Sequence, residues 1–188
     1  MSNLIAPGSM SATAEIAAWF RCQPNFKLRA CLALHRGFQN LMRCLGVSSI
    51  DAMDKPQKTV LGTVAEHVMR SEFSLERGKG IGHRRALDYH IMGHDVDAKF
   101  SLTMGGWMIP PQVVGRPCML IHSTDNLVFW IGLLRIEDRM LRLGANQDKK
   151  RQLRTPVLSK ILWIVEEQRV ADVFSSPQRP TAACPLVV

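Results

Sequence analysis

Hydrophobic residues recur at helical spacing early in the chain and then alternate with polar residues. Residues 28–45 place apolar side chains on one helical face and are followed by Gly46, a typical C-terminal stop, so a helix is predicted there. A second helix is predicted over residues 59–73, where the apolar side chains share one arc. Both helices are expected to pack on a core.

After a loop rich in Gly and Arg, hydrophobic and polar residues alternate with a period of two, as they do along β-strands. A last helix is predicted from Thr155 and Pro156, a pair typical of a helix start. Helices before and after several strands indicate a mixed α/β domain. The four predicted strands are residues 87–91, 96–101, 118–123 and 127–136. The last helix would present Leu158, Ile161, Leu162 and Val165 on its apolar face.

The chain of 188 residues has the ordinary size of one domain. We expect a single domain over residues 1–173, with a loose arm up to Glu15 and a tail over residues 174–188 that packs little. No apolar run approaches the roughly 18 residues that span a membrane. The N-terminus lacks the features of a signal peptide, so a cytoplasmic location is expected.

The formal net charge of +8 favours a polyanionic partner, because Lys and Arg side chains gain affinity by releasing counterions from phosphates. Charge alone is weak evidence, since many basic proteins bind no nucleic acid. The five cysteines include no CxxC pair, so the sequence does not indicate a zinc site.

The candidate chemistry lies in the segment LDYHIMGHDVDAKFS. A two-residue hairpin turn at Gly93 and His94 would place glycine at the first central position of the turn. Asp88 would then lie opposite Lys99. With the same register, His90 would lie opposite Asp97, and all four side chains would share one face of the hairpin. The other face would carry Leu87, Tyr89, Ile91, Val96, Ala98 and Phe100.

Two carboxylates on one sheet face, at Asp88 and Asp97, repel each other unless a cation lies between them. Mg²⁺ takes oxygen ligands and is typically held by one or two carboxylates and a substrate phosphate, so the pair suits phosphodiester cleavage. Lys99 would orient water or offset phosphate charge. The same spacing also fits an exposed polar face with a cross-strand ion pair between Asp88 and Lys99.

An acidic residue followed on the next strand by Asp-x-Lys is the PD-(D/E)xK nuclease signature. The chain resembles the NaeI family of type II restriction endonucleases over about residues 58–153, the expected catalytic core. The resemblance implies a restriction-endonuclease-like mixed β-sheet flanked by α-helices. The matching stretches are LGTVAEHVMRSEF, LDYHIMGHDVDAKFS, GGWMIPPQVVG, PCMLIHSTDN, WIGLLRI and ANQDKKRQL.

Residue by residue, the resemblance implies that Glu66, Asp88 and Asp97 bind the metal and that Lys99 completes the catalytic set. The G-x-x-x-E spacing that ends at Glu66 is also similar to the helix motif of the mismatch-repair nicking enzyme MutH. The resemblance does not extend to the second DNA-binding domain that longer relatives carry, and the loop before Asp88 is longer here.

Three glutamates precede the hairpin, and we expect Glu66 to complete the site. It falls just outside the apolar arc of its helix, one turn after Gly62, which lets another backbone approach closely. Glu72 lies inside that arc near the helix end, and Glu76 lies in the loop.

The implied activity is Mg²⁺-dependent hydrolysis of double-stranded DNA at a specific, palindromic sequence, with Mn²⁺ able to substitute. Cleavage of two strands implies a homodimer. A monomeric nicking or repair endonuclease remains an alternative, as does a DNA-binding module without cleavage activity.

Several residues outside the catalytic set are candidate DNA contacts. Ser101 follows Lys99 on the same strand face and could contact a phosphate. The loop GGWMIPP could lie against DNA or pack locally. A basic run could clamp phosphates or could simply be a solvated face. Its members are Lys149, Lys150, Arg151 and Arg154.

Overall fold

The computed structural model describes residues 11–79, 86–125 and 127–170. Ser11 and Asp54 cap the first and third helices with their side chains, and Gly46 ends the second with a φ of 68°. None of the helices in these residues is long and apolar enough to cross a membrane. The helices are α1 Ala12–Cys22, α2 Phe26–Leu45 and α3 Lys55–Glu72.

The helices predicted over 28–45 and 59–73 are confirmed as α2 and α3, although α3 begins four residues earlier. The expectation of a loose arm up to Glu15 is wrong from Ala12 onward, because α1 starts there. Its buried face, with Ile16 and Phe20, fastens it to the core.

Within the described residues, eight strands form two sheets, and the mixed α/β architecture is confirmed. The larger sheet has the order β1-β2-β4-β5-β8, in which β2 and β4 are parallel and the other neighbours antiparallel. The smaller sheet has the order β3-β7-β6. The strands are β1 Tyr89–Ile91, β2 His94–Ser101, β3 Met108–Ile109, β4 Pro117–Ser123, β5 Val128–Arg135, β6 Leu141–Ala145, β7 Arg151–Leu153 and β8 Leu162–Arg169.

The two faces of the larger sheet are covered differently. The three helices pack on one face, where Phe20, Phe38 and Phe129 belong to one hydrophobic core. The smaller sheet covers the other face through a second core. Trp107 is fully buried there and donates its indole N–H to the backbone oxygen of Ile121 at 2.8 Å, which ties the two sheets together.

The helix predicted from Thr155 is wrong. Residues 155–160 form a 3₁₀ turn, and β8 follows and pairs with β5. The apolar residues of the predicted helical face divide between the two cores: Ile161 packs on the side of the smaller sheet and Val165 on the side of the helices. A single helical face cannot serve both sides of a sheet, whereas an extended strand can.

The hairpin between β1 and β2 forms with a different turn from the one predicted. Met92 and Gly93 occupy the turn with φ values of 49° and 78°, as a type I′ turn requires. Tyr89 then pairs with Val96, two residues away from the predicted register. A shift of two residues keeps every side chain on its face, so the polar face survives. Leu87, which lies before β1 and was predicted to share a face with Tyr89 and Ile91, packs instead in the core of the smaller sheet.

Candidate active site

A cleft of about 820 Å³ opens between α3, β2 and the start of β7. The sequence-predicted catalytic residues and two of the predicted DNA contacts line it together, although they come from four separate segments of the chain. They are Glu66, Asp88, Asp97, Lys99, Ser101 and Lys150.

Asp97 lies at the bottom of this cleft and is 4% exposed. Its Oδ2 forms an ion pair with the ammonium of Lys99. Burial, reinforced by the negative charge of Asp88, raises the pKa of Asp97 to about 7, against the opposing effect of Lys99. A buried carboxylate that lies beside a second carboxylate is poised to accept a cation.

Asp88 is held against the strand that carries the other two residues. Its Oδ2 accepts a hydrogen bond from the backbone N–H of Ala98 at 2.7 Å and lies 3.8 Å from the Nζ of Lys99. The sequence placed Lys99 opposite Asp88, whereas its nearer partner is Asp97. Burial alone would lower the pKa of Lys99, but the neighbouring carboxylates, chiefly Asp97, raise it, so the ammonium stays charged.

Glu66 lines the cleft wall, and its Oε1 accepts a hydrogen bond from the Nη1 of Arg70 at 2.9 Å. Glu72 instead pairs with Arg29 at 2.7 Å, and neither it nor Glu76 lines the cleft. Within the described ranges, no three His, Cys, Asp or Glu side chains come together as a metal-binding group. Glu66 therefore faces the site without joining the two aspartates.

The prediction that His90 lies opposite Asp97 is wrong, because the register places it opposite Asp95. The Nδ1 of His90 lies 2.8 Å from the Oδ1 of Asp95. That carboxylate also accepts the backbone N–H of Lys79 at 3.0 Å and lies 3.7 Å from the Nη1 of Arg116. Sequence reasoning did not single out Asp95, and nothing in the local pattern marks Arg116 as its partner.

The predicted DNA contacts separate into two groups. Ser101 and Lys150 line the cleft, whereas the other three residues of the basic run do not. Arg151 forms an ion pair with Asp138. Arg154 lines a smaller pocket of about 250 Å³ together with Arg139. The three residues outside the cleft are Lys149, Arg151 and Arg154.

The GGWMIPP loop divides between core and cleft. Trp107 and Ile109 are buried in the second core, so local packing accounts for them. Met108 and Pro110 line the cleft.

Residues that sequence reasoning missed also line the cleft. Lys55 and Lys58 lie on the first turns of α3, and Gln112 lies in the 3₁₀ turn after β3. With Gly62 and Glu66, the lysines repeat every three or four residues. This spacing could have predicted that the four residues share one face of α3. The sequence-based prediction missed it because it started the helix at residue 59, after both lysines.

Comparisons with known proteins agree with this geometry. The family model described as restriction endonuclease NaeI matches residues 29–173. The type II restriction enzyme NaeI of Lentzea aerocolonigenes is 37% identical over 106 residues, which cover 56% of this chain and 31% of that protein. The match therefore spans less than a third of the length of that relative.

Proposed function

The chain belongs to the NaeI restriction endonuclease family, and from this membership we propose that it is a type II restriction endonuclease. It would hydrolyse phosphodiester bonds of double-stranded DNA at a specific, palindromic sequence, with residues 1–173 as one endonuclease domain. The observation that carries the proposal is the group of Asp88, Asp97 and Lys99 at the bottom of an open cleft.

The residues present fit a divalent metal ion. Asp97 offers a buried carboxylate that pairs with the ammonium of Lys99, and the negative charge of Asp88 lies close to it. Hard oxygen ligands of this kind favour Mg²⁺, with Mn²⁺ able to substitute. Glu66 would complete the ligand set by turning from Arg70 into the cleft that it already lines. When bound, the ion would supply positive charge at the scissile phosphate and lower the pKa of a water molecule.

The protein's own residues would do the remaining work. The Ala98 N–H holds the carboxylate of Asp88 in place at the cleft. The Lys99 ammonium, charged and inside the cleft, would offset the negative charge that develops on the phosphate. Ser101 and Lys150 would contact phosphates on either side of the cut.

The assembly and the location follow from the substrate. Cutting both strands of a palindrome requires two active sites related by a twofold axis, so a homodimer is the simplest assembly. The protein would act in the cytoplasm, where it meets double-stranded DNA.

Incubation of the protein with supercoiled plasmid tests the proposal. Linear product in Mg²⁺ or Mn²⁺ supports a dimeric restriction endonuclease, open circles indicate a monomeric nicking or repair enzyme, and retention without cutting indicates a DNA-binding module. Ca²⁺ should support binding without cleavage, because its larger and looser coordination shell places water poorly. Full cleavage in the presence of a chelator would contradict the metal-dependent mechanism.

A further inference from the structure

One face of α3 forms a continuous wall of the cleft. Its residues recur at intervals of three or four, the spacing that brings side chains to one side of a helix. The face begins with two lysines, continues through a glycine and ends at the glutamate that lines the cleft. Its members are Lys55, Lys58, Thr59, Gly62, Thr63 and Glu66.

Gly62 has no structural reason to be glycine. It lies in the interior of α3, where glycine is less favourable than alanine. A Cβ added there would meet nothing closer than the Cβ of Phe100, at 3.9 Å, which is an ordinary contact distance. Neither packing nor backbone conformation therefore excludes a side chain at this position.

Gly37 in α2 shows what a structurally required helical glycine looks like. A Cβ there would lie 2.8 Å from Cγ1 of Val68 and 3.0 Å from Cγ1 of Val64. Close contact between α2 and α3 thus explains Gly37. A side chain at Gly62, in contrast, would extend into the cleft.

The charges on this wall match a polyanion. Neither Lys55 nor Lys58 makes an ion pair within 4.0 Å in the described part of the chain, although Lys58 lies close enough to Asp125 to oppose the rise that burial causes in the pKa of that carboxyl. With Lys99 and Lys150 they place four lysines around the cleft. Phosphates bind such groups by displacing counterions.

We propose that Gly62 forms a notch in α3 at which the phosphate backbone of the DNA strand approaches the helix, with Lys55 and Lys58 neutralising its phosphates. This inference rests on the proposed function and deepens it. The absence of a side chain at Gly62 makes room for the phosphate backbone of the DNA. Lys58 and Lys55, one and two turns earlier in α3, would lie along the same DNA strand.

Substitution of Gly62 by leucine, with Gly144→Leu as the matched control, tests the notch. Gly144 lies in β6, lines no part of the cleft and has no atom within 4 Å of an added Cβ. Affinity for linearised plasmid is measured in Ca²⁺, cleavage in Mg²⁺, and the unfolding temperature by circular dichroism. Gly62→Leu should bind at least about tenfold more weakly at an unchanged or higher unfolding temperature, whereas Gly144→Leu should behave as the wild type.

The contribution of Lys55 and Lys58 is tested separately, through the salt dependence of DNA binding. The double variant Lys55→Ala/Lys58→Ala should lower the slope of log K against log salt by about 2, whereas Lys27→Ala on the exposed side of α2 should leave the slope unchanged. An unchanged slope in the double variant would remove the lysines from the proposed contact.

Wild-type affinity in a folded Gly62→Leu variant would overturn the notch while leaving the nuclease assignment intact. If the leucine variant is unfolded, Gly62→Ala decides, since alanine stabilises helices and should still weaken binding; wild-type affinity in that variant would overturn the notch. A wild-type protein that binds no DNA would overturn the proposed function and the notch together.

Discussion

Asp95 and Asp97 lie two residues apart on the same face of β2, with side chains that are 8% and 6% exposed, yet their surroundings are opposite. Asp95 receives a hydrogen bond from the Lys79 amide, pairs with His90 and lies near Arg116. Asp97 pairs with Lys99 and lies beside the negative charge of Asp88.

The pKa values follow this difference. Burial alone would raise the pKa of Asp95, but the hydrogen bonds from His90 and Lys79, with the charges of His90 and Arg116, hold it below its ordinary value. Burial raises the pKa of Asp97 to about 7. A carboxylate surrounded by hydrogen-bond donors and positive charges stabilises the fold. A buried carboxylate beside a second carboxylate costs stability, and such groups are typical of active sites.

The largest effect expected from this comparison is on cleavage. Asp97→Asn should reduce plasmid cutting by at least about 100-fold, the loss that removal of one electrostatic group in an active site commonly causes. DNA binding should be largely spared, because the phosphate contacts remain. Lys99→Ala should behave in the same way. Near-normal cutting by either folded variant, checked by circular dichroism, would exclude this group as the catalytic centre.

The comparison extends to α3, where two glutamates each pair with an arginine but only one lines the cleft. Glu66→Gln should reduce cleavage by about tenfold or more, as loss of a metal-site carboxylate does. Glu72→Gln should reduce it by about threefold or less, because it removes only a partly exposed ion pair with Arg29. Both are measured on one plasmid at saturating Mg²⁺. If Glu72→Gln reduced cleavage more than Glu66→Gln, Glu72 rather than Glu66 would be the third carboxylate of the metal site.

Asp95→Asn should act on stability rather than on chemistry. Loss of a buried carboxylate bonded to His90 and Lys79 should lower the free energy of unfolding by about 1–3 kcal/mol. Urea denaturation measures this change, and cleavage per folded molecule should stay close to that of the wild type. Unchanged stability with lost cleavage would place Asp95 in the catalytic machinery.

The pH dependence of stability should distinguish the two carboxylates. A folded-state pKa raised from 3.8 to about 7 means that Asp97 contributes most stability below about pH 4 and that this contribution is lost as the pH rises through 7. In chelator, Asp97→Asn should therefore gain more in unfolding temperature over the wild type at pH 8 than at pH 5. An equal gain at both values would contradict the raised pKa.

The smallest effect concerns neighbouring lysines in the basic run. Lys150 lines the cleft and Lys149 does not. Lys150→Ala should reduce the slope of log K against log salt by about 1, the contribution of one phosphate contact, and Lys149→Ala should leave it unchanged. Equal slopes for the two variants would show that a position in the cleft wall does not distinguish a lysine that contacts DNA from one that does not.

The sequence by itself determined which side chains share a strand face. Alternation puts Asp97 and Lys99 on one side of β2 whatever turn closes the hairpin, so the two-residue error in register did not disturb the prediction. Helical periodicity in the same way predicted α2 and α3. These are local properties of the backbone, and they depend on neighbours only a few positions away.

Tertiary structure decided what each side chain meets. Asp95 receives Arg116 and the Lys79 amide from other parts of the chain, and the burial of Asp97 beside Asp88 exists only after folding. The same holds for β8, whose apolar residues fit a helix until the two cores on opposite sides of the sheet divide them. The burial and the partners of a side chain depend on which distant segments pack against it. The periodicity of a single sequence indicates only the face of the helix or strand on which the side chain lies.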